Sequence, residues 1–272
     1  MLKVDNSNTI NNYNVITYEE CPSFSGIVEG ECKGDLWVDD IEDPHIAIVN
    51  SYAVGSFAFL GNIINDDEYM KLYNYTRNDI FNFLKQKEVS CFEFSIESDN
   101  LKPYILKMFE DKIIESETEY SFRKTEGISI NYSLPDGFHI QKVDYEFWEE
   151  INRGHYKNAD LITTRLLESW GSFDNFIAKS IAFCIVYSES IVSVILGTGR
   201  FRNIIPIDIE TDDDFTHRGF GYYLTVEFVN ECINKGLIPQ WDCVESNPIS
   251  KRLAEKAEFE FLRENKVYWF DI

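Results

Sequence analysis

The stretch THRGFGYYL, residues 216–224, holds the reading of the fold. The acidic run Asp212–Asp214 precedes it, and a helical pattern follows. Gly219 and Gly221 bracket Phe220, and the basic pair His217 and Arg218 comes just before. The β-rich run IIPIDIE, ending at Thr211, leads in as a strand. Beyond Gly221, the positions Tyr222, Val226, Val229 and Ile233, with Leu224 and Phe228, form a wide helical stripe. Lys235 and Gly236 supply a basic last turn and a glycine stop. A strand that turns sharply into a glycine-bracketed helix start can bind anions. The amides of a helix's first turn have no partners within the helix, and its dipole favours negative charge. Glycines let backbone approach a ligand closely, and Arg218 adds charge. For two glycines alone, a plain strand-to-helix connection is the bland alternative. Two phosphate cradles are excluded. A dinucleotide fingerprint needs a third glycine at 224, where leucine stands. A P-loop needs lysine and then serine or threonine after its last glycine, and tyrosines stand there.

Outward from this turn the chain alternates strands and helices. Upstream lie a strand over Phe138–Val143, helices over Tyr145–Asn152 and Leu161–Lys179, and the hairpin AFCIVY–SES–IVSVIL. Downstream come a strand over Leu237–Cys243, a helix opened by Asn247–Pro248, and a last strand near Lys266–Phe270. The amino-terminal part has a polar lead and the glycine-spaced SFSGIVEGECKG (23–34), which reads as loop. Extended runs follow around Leu36–Ile41, His45–Ser51 and Phe57–Leu60. After them come a helix over Asp66–Leu84, the strand CFEFSI (91–96), a helix over Leu101–Phe109 and a strand near Ile113–Phe122. This alternation predicts a mixed α/β sheet. LPDG at 134–137 is a turn signal near the expected boundary between an amino-terminal lobe, 1–130, and a carboxy-terminal domain, 131–272.

Composition narrows the function. Among 272 residues, 44% are hydrophobic and 15% aromatic, ample for a packed core. No apolar run nears the ~18 residues of a membrane span, and the polar lead lacks a secretory profile. The expectation is a cytoplasmic protein. With 25 basic against 47 acidic residues, the net charge of -22 repels phosphate backbones and anionic lipid. Nucleic acid and membrane are therefore not expected partners, whereas cationic amines are attracted. The six cysteines form no CxxC pair and read as buried free thiols of a reducing compartment. His45, His139, His155 and His217 are scattered, so no metal site is expected.

The order of hairpin, strand, glycine turn, helix, strand, Asn-Pro helix and strand resembles the GNAT superfamily of acyl-CoA N-acyltransferases. That turn has glutamine or arginine first, glycine fourth, and glycine or alanine sixth. Read from Thr216, it puts Gly219 and Gly221 in the last two places, with Thr216 in place of the leading basic residue. GLIPQWDC and NPISKRLAEKAEF, together with FSGIVEGECKGDLWVDD, are similar to the zwittermicin A resistance type, whose amino-terminal half is a degenerate GNAT-like lobe. The resemblance implies acetyl-CoA as acyl donor and a small amine-bearing acceptor, with no metal. It implies that the backbone near Ile209 and Thr211 holds the pantetheine arm. The turn formed by Thr216, His217, Arg218, Gly219, Phe220, Gly221 and Tyr222 holds the pyrophosphate.

The attacking amine needs a base. Asp208 and Glu210 alternate to one strand face and are the candidates, with Asp208 first; a solvated face or an ion pair is the alternative. Asn247 reads as a helix N-cap with cofactor contact as a second role. The family often has a tyrosine acid after the leucine of this helix, but Leu253 is followed here by Ala254. A non-catalytic acyl-CoA-binding protein of the same fold is the alternative from another class.

Overall fold

The computed structural model describes residues 1–5 and 9–272, so residues 6–8 of the polar lead lie outside the described residues. The chain divides into two compact units. One comprises Met1–Glu119, Val244–Ser246 and Glu264–Ile272, and the other Tyr120–Cys243 and Asn247–Arg263.

In the first unit, β1 (Leu2–Lys3) and α1 (Pro22–Val28) precede an antiparallel set, β2 (Gly34–Val38), β3 (Ile46–Ser51) and β4 (Ser56–Gly61). Helix α2 (Asp66–Tyr75) runs through a π turn (Thr76–Ile80) into α3 (Phe81–Gln86) and returns the chain to β5 (Cys91–Ile96), parallel to β4. After α4 (Lys102–Met108) the chain leaves this unit within β6 (Glu115–Arg123), between Glu119 and Tyr120. The end of the last strand, β12 (Glu260–Asp271), comes back to pair antiparallel with β5. One core is rich in phenylalanine: Phe59, Phe92, Phe94 and Phe109 are fully buried, with Phe92 and Phe94 stacked and the other ring pairs edge-on or tilted.

The loop expected over 23–34 is instead helical at its start. Pro22 occupies the first helical turn, where its missing N–H costs nothing, and Ser25 is buried with its Oγ donating to the Tyr18 carbonyl at 2.8 Å. The glycines that suggest a loop have other uses. Gly34 sits where a Cβ would meet the Asn50 carbonyl at 2.5 Å, so close strand packing requires its absence.

The second unit repeats this strand plan. The antiparallel set is β7 (Phe138–Lys142), β8 (Ala182–Tyr187), β9 (Ser190–Gly197) and β10 (Ile204–Thr211). Between β7 and β8 lie α5 (Tyr145–Asn152), α6 (Asp160–Trp170) and α7 (Phe173–Lys179). The single helix expected over 161–179 is broken at Gly171, which caps α6 in the left-handed region, and Ser172 then caps α7. Helix α8 (Phe220–Asn234) crosses over to β11 (Ile238–Val244), parallel to β10, and α9 (Pro248–Lys256) follows. Leu224, Phe228 and Cys232 bury the α8 stripe in one cluster with Phe183, Ile185 and Ile195 of the sheet. The mixed α/β fold expected from the sequence is what forms.

Cys21, Cys184, Cys232 and Cys243 are buried free thiols, while Cys91 is exposed. Burial pushes the Cys184 and Cys232 thiols far above the usual range, so neither is a nucleophile. Among the described residues, no helix is long and apolar enough to cross a membrane.

Candidate active site

Strands β10 and β11 pair only from Ile204↔Ile238 to Pro206↔Gln240 and then part, although both run on. On its other edge β10 stays paired to β9 as far as Thr211↔Ser193. The bonds Thr198 N–H to the Pro206 carbonyl and Asp212 N–H to the Val192 carbonyl assign the even-numbered residues of β10 to β9. Ladder alternation therefore turns the backbone groups of Ile207, Ile209 and Thr211 toward the gap. A polar edge is exposed there.

The glycine turn closes the end of that gap. Asp212 caps a 3₁₀ turn (Asp213–Phe215), with its Oδ1 accepting from the Asp214 amide at 3.0 Å, so the acidic run is a solvated turn. His217 (φ 60°) and Gly219 (φ 81°) then take left-handed backbone, and Gly219 caps α8 with no side-chain acceptor. Among the described residues, the amides of His217, Arg218, Gly219, Phe220 and Gly221 meet no hydrogen-bond acceptor. Consecutive amides in such a turn form an anion-binding concavity, reinforced by the helix dipole.

Gly221 has a different use from the one its spacing suggests. A Cβ there would lie 3.1 Å from Leu253 Cδ2 and 3.5 Å from Ile209 Cδ1, so its smallness lets α8 pack on α9 and β10. Arg218 is held over the rings of Phe215 (5.1 Å) and Phe138 (5.9 Å), and Lys256 Nζ lies 4.3 Å from the Tyr222 ring centroid.

These groups line one pocket of ≈ 590 Å³, within the range of small-ligand sites. Ile209, Glu210, Thr211 and the whole turn from Thr216 to Tyr222 line it, as does Asn247. Asn247 is also the expected cap: its Oδ1 accepts from the Ser250 amide at 3.1 Å. Asp208, the first candidate base, does not line the pocket. Ile249, Ser250, Leu253 and Lys256 of the NPISKRLAEKAEF helix do, though the sequence singles out none of them as a binding residue. Their spacing on the Asn-Pro helix is that of one face, a signal legible once the helix is placed. Trp241 is buried, as expected of a core aromatic, whereas the Tyr222 side chain is partly exposed at the pocket.

Asp208 and Glu210 do share a face, and an arginine sits between them. Arg165 on α6 donates from Nε to Asp208 Oδ2 at 2.8 Å, from Nη2 to Glu210, and from Nη1 to the Leu161 carbonyl at 3.0 Å. Each carboxylate keeps one oxygen without a hydrogen bond among the described residues. Arg165 has no sequence signal, because α6 reaches this face only through the fold. Ala254 is fully buried against Trp241 and Phe259, so nothing at that position faces the pocket.

The family model for GNAT acetyltransferase matches residues 14–268, nearly the whole chain. The chain belongs to the GNAT acetyltransferase family. It is thus one of a family of acyltransferase enzymes. It is 23% identical over 256 residues to YdfB of Bacillus subtilis strain 168, named an uncharacterized N-acetyltransferase, covering 92% of this chain and 90% of the relative. A GCN5-related N-acetyltransferase-like protein from Streptococcus suis 89/1591 shares the fold with a TM-score of 0.59 at 18% identity, over 87% of this chain and 88% of that one. A tandem GNAT protein from the clavulanic acid biosynthesis pathway gives 0.57 at 8% identity, over 89% and 83%. In this GNAT chain the parted strands and the unpaired turn lie together in the second unit.

Proposed function

We propose that the protein transfers an acetyl group from acetyl-CoA to the amine of a small molecule, and that residues 131–272 form the catalytic lobe. The observation that carries this reading is the run of partnerless amides from His217 to Gly221, opening into a pocket beside parted strands. Pyrophosphate oxygens match that donor set. The free edge groups of Ile209 and Thr211 suit the amide-bearing pantetheine arm, with Asn247 and Lys256 flanking it. Residues 1–130 form the degenerate GNAT-like lobe of a tandem arrangement, as in the zwittermicin A resistance type. A cytoplasmic setting fits acetyl-CoA supply, and the acidic composition fits neither nucleic-acid nor membrane binding.

Catalysis then needs a base for the ammonium proton and a fixed line of attack on the thioester. Glu210 lines the pocket and Asp208 stands beside it, each with one oxygen free of Arg165. Glu210 takes the proton in the geometry seen here, and Asp208 helps draw in the cation. A thiol is far more acidic than an alcohol and leaves as thiolate without a dedicated acid, consistent with buried Ala254.

The test is a thermal-shift titration with acetyl-CoA, then a free-thiol release assay across an amine panel. Stabilisation together with amine-dependent thiol release is the expected result. Stabilisation without release from any amine would support an acyl-CoA-binding protein, and no stabilisation would remove the pocket from consideration.

A further inference from the structure

A convergence lies in the first unit, away from the pocket, and it joins residues that sequence spacing does not. Asp39 follows β2, His45 precedes β3, and Glu68 is in the first turn of α2. One donor atom from each residue falls in a group whose members are all within 4.8 Å of one another. His45 Nδ1 is 3.3 Å from Glu68 Oε1 and 4.0 Å from Asp39 Oδ2.

The carboxylates are held from behind by backbone. Asp39 Oδ1 accepts the amides of His45 and Ile46, both at 2.9 Å, and Glu68 Oε2 accepts the Ile64 amide at 2.9 Å. These bonds fix both groups with Asp39 Oδ2 and Glu68 Oε1 facing the imidazole, and Glu68 Oε1 also accepts from Asn65 Nδ2 at 3.1 Å. The Asp39 side chain is only 9% exposed, yet its Oδ2 accepts no hydrogen bond among the described residues. The Glu68 side chain is 12% exposed.

On the far side of the ring, His45 Nε2 lies 3.7 Å from Asp43 Oδ2. With the Nε2 proton directed at Asp43, the Nδ1 lone pair faces the two inner carboxylates. In that tautomer Nδ1, Asp39 Oδ2 and Glu68 Oε1 converge, and a cation among them offsets their mutual repulsion.

We propose that Asp39, His45 and Glu68 bind a divalent transition-metal cation of the Zn²⁺ class. One imidazole and two carboxylates are a borderline-hard donor set that suits it. Tetrahedral zinc with bonds of about 2.0–2.2 Å separates its ligands by roughly 3.3–3.5 Å. The observed 3.3 and 4.0 Å reach this by closing less than an ångström. The Asp43 carboxylate stands behind the imidazole as an outer partner. Bound there, the ion ties the end of β2 and the start of β3 to the first turn of α2. This site is independent of the acetyl-transfer reading.

The full-length protein, stripped with a chelator, is titrated with Zn²⁺ against a chromophoric competitor. Asp39→Asn, His45→Gln and Glu68→Gln are compared with the parent. Asparagine still accepts the two amides, and glutamine still serves a helix start, so the variants keep the fold. The expected result is one Zn²⁺ per chain with a raised unfolding temperature. Each variant should bind at least ~10-fold more weakly, without that rise. X-ray absorption of the zinc-loaded parent should show only nitrogen and oxygen neighbours. Equal binding by parent and variants, or a sulfur shell, would assign the zinc to cysteines and overturn the proposal. No uptake by the parent would overturn it as well.

Discussion

At the scale of single residues, the two carboxylates of β10 separate by position. Glu210 lines the pocket and Asp208 does not, while both are engaged by Arg165. Replacing each with its amide removes basicity at constant size. Loss of a general base typically costs ~100-fold or more in turnover. Glu210→Gln should show that loss with acetyl-CoA affinity retained, and Asp208→Asn should lose less, as read by steady-state thiol release on an identified amine. Full turnover by both variants would place the base elsewhere. The two glycines of the turn also separate. A Cβ on Gly219 meets nothing nearer than 3.6 Å, but its φ of 81° is strained for any other residue. Gly219→Ala should therefore cost roughly 1–2 kcal/mol. Gly221 has ordinary helical backbone, and its tight neighbour is the movable end of Leu253, so Gly221→Ala should cost less. Urea unfolding of the two variants decides this, and a costlier Gly221→Ala would reverse the assignment.

At the scale of elements, α8 is tied to β7 by an ion pair: Lys142 Nζ donates to Glu231 Oε1 at 2.6 Å, and Lys235 lies 3.6 Å away one turn on. The Lys142 hydrogen bond holds the Glu231 carboxyl below its usual 4.5. A depressed carboxyl adds stability above its unfolded value, and that stability is lost as pH falls through the folded value. Glu231→Gln should thus cost ~0.5–1 kcal/mol at neutral pH and nothing near pH 2. Denaturant melts at the two pH values test it; a pH-independent cost would point to packing instead. Elements such as β5, the β8–β9 hairpin and α8 were legible because each carries its own periodicity. Helix α1 was not, because the glycines spaced along 23–34 read as loop, although Gly34 serves strand packing. The parting of β10 from β11 was also hidden, since it depends on two strands brought together by a crossover. The glycine turn was legible because its signal is local. Arg165 against Asp208, and Asp39 with His45 and Glu68, were not, because each contact joins separate elements.

At the scale of the whole molecule, both units share a strand plan, but their helix starts differ in charge. In each, a helix crosses from the end of one strand to a parallel neighbour. In the first unit that helix, α2, begins with Asp66, Asp67 and Glu68. Asn65 Oδ1 accepts the Glu68 amide at 3.0 Å, and Glu68 Oε2 accepts the Ile64 amide at 2.9 Å. These bonds occupy two of the donors there, and three carboxylates stand in the way of a phosphate. The strands that α2 and α3 connect, β4 and β5, stay paired to the end of β5. Pairing of β4 with β5 runs to Phe59↔Ile96, and the Glu97 amide donates to the Phe59 carbonyl at 3.0 Å. In the second unit, α8 has no acidic residue in its first turn and no side-chain cap. Amide hydrogen exchange, with and without acetyl-CoA, should therefore show protection over residues 207–222 and 247–256. Residues 59–72 should be unchanged. Fresh amide bonds to phosphate slow exchange locally, so protection confined to 59–72 would move the site to the first unit. Protection in both segments would give each unit a cofactor and refute the degeneracy of the amino-terminal lobe.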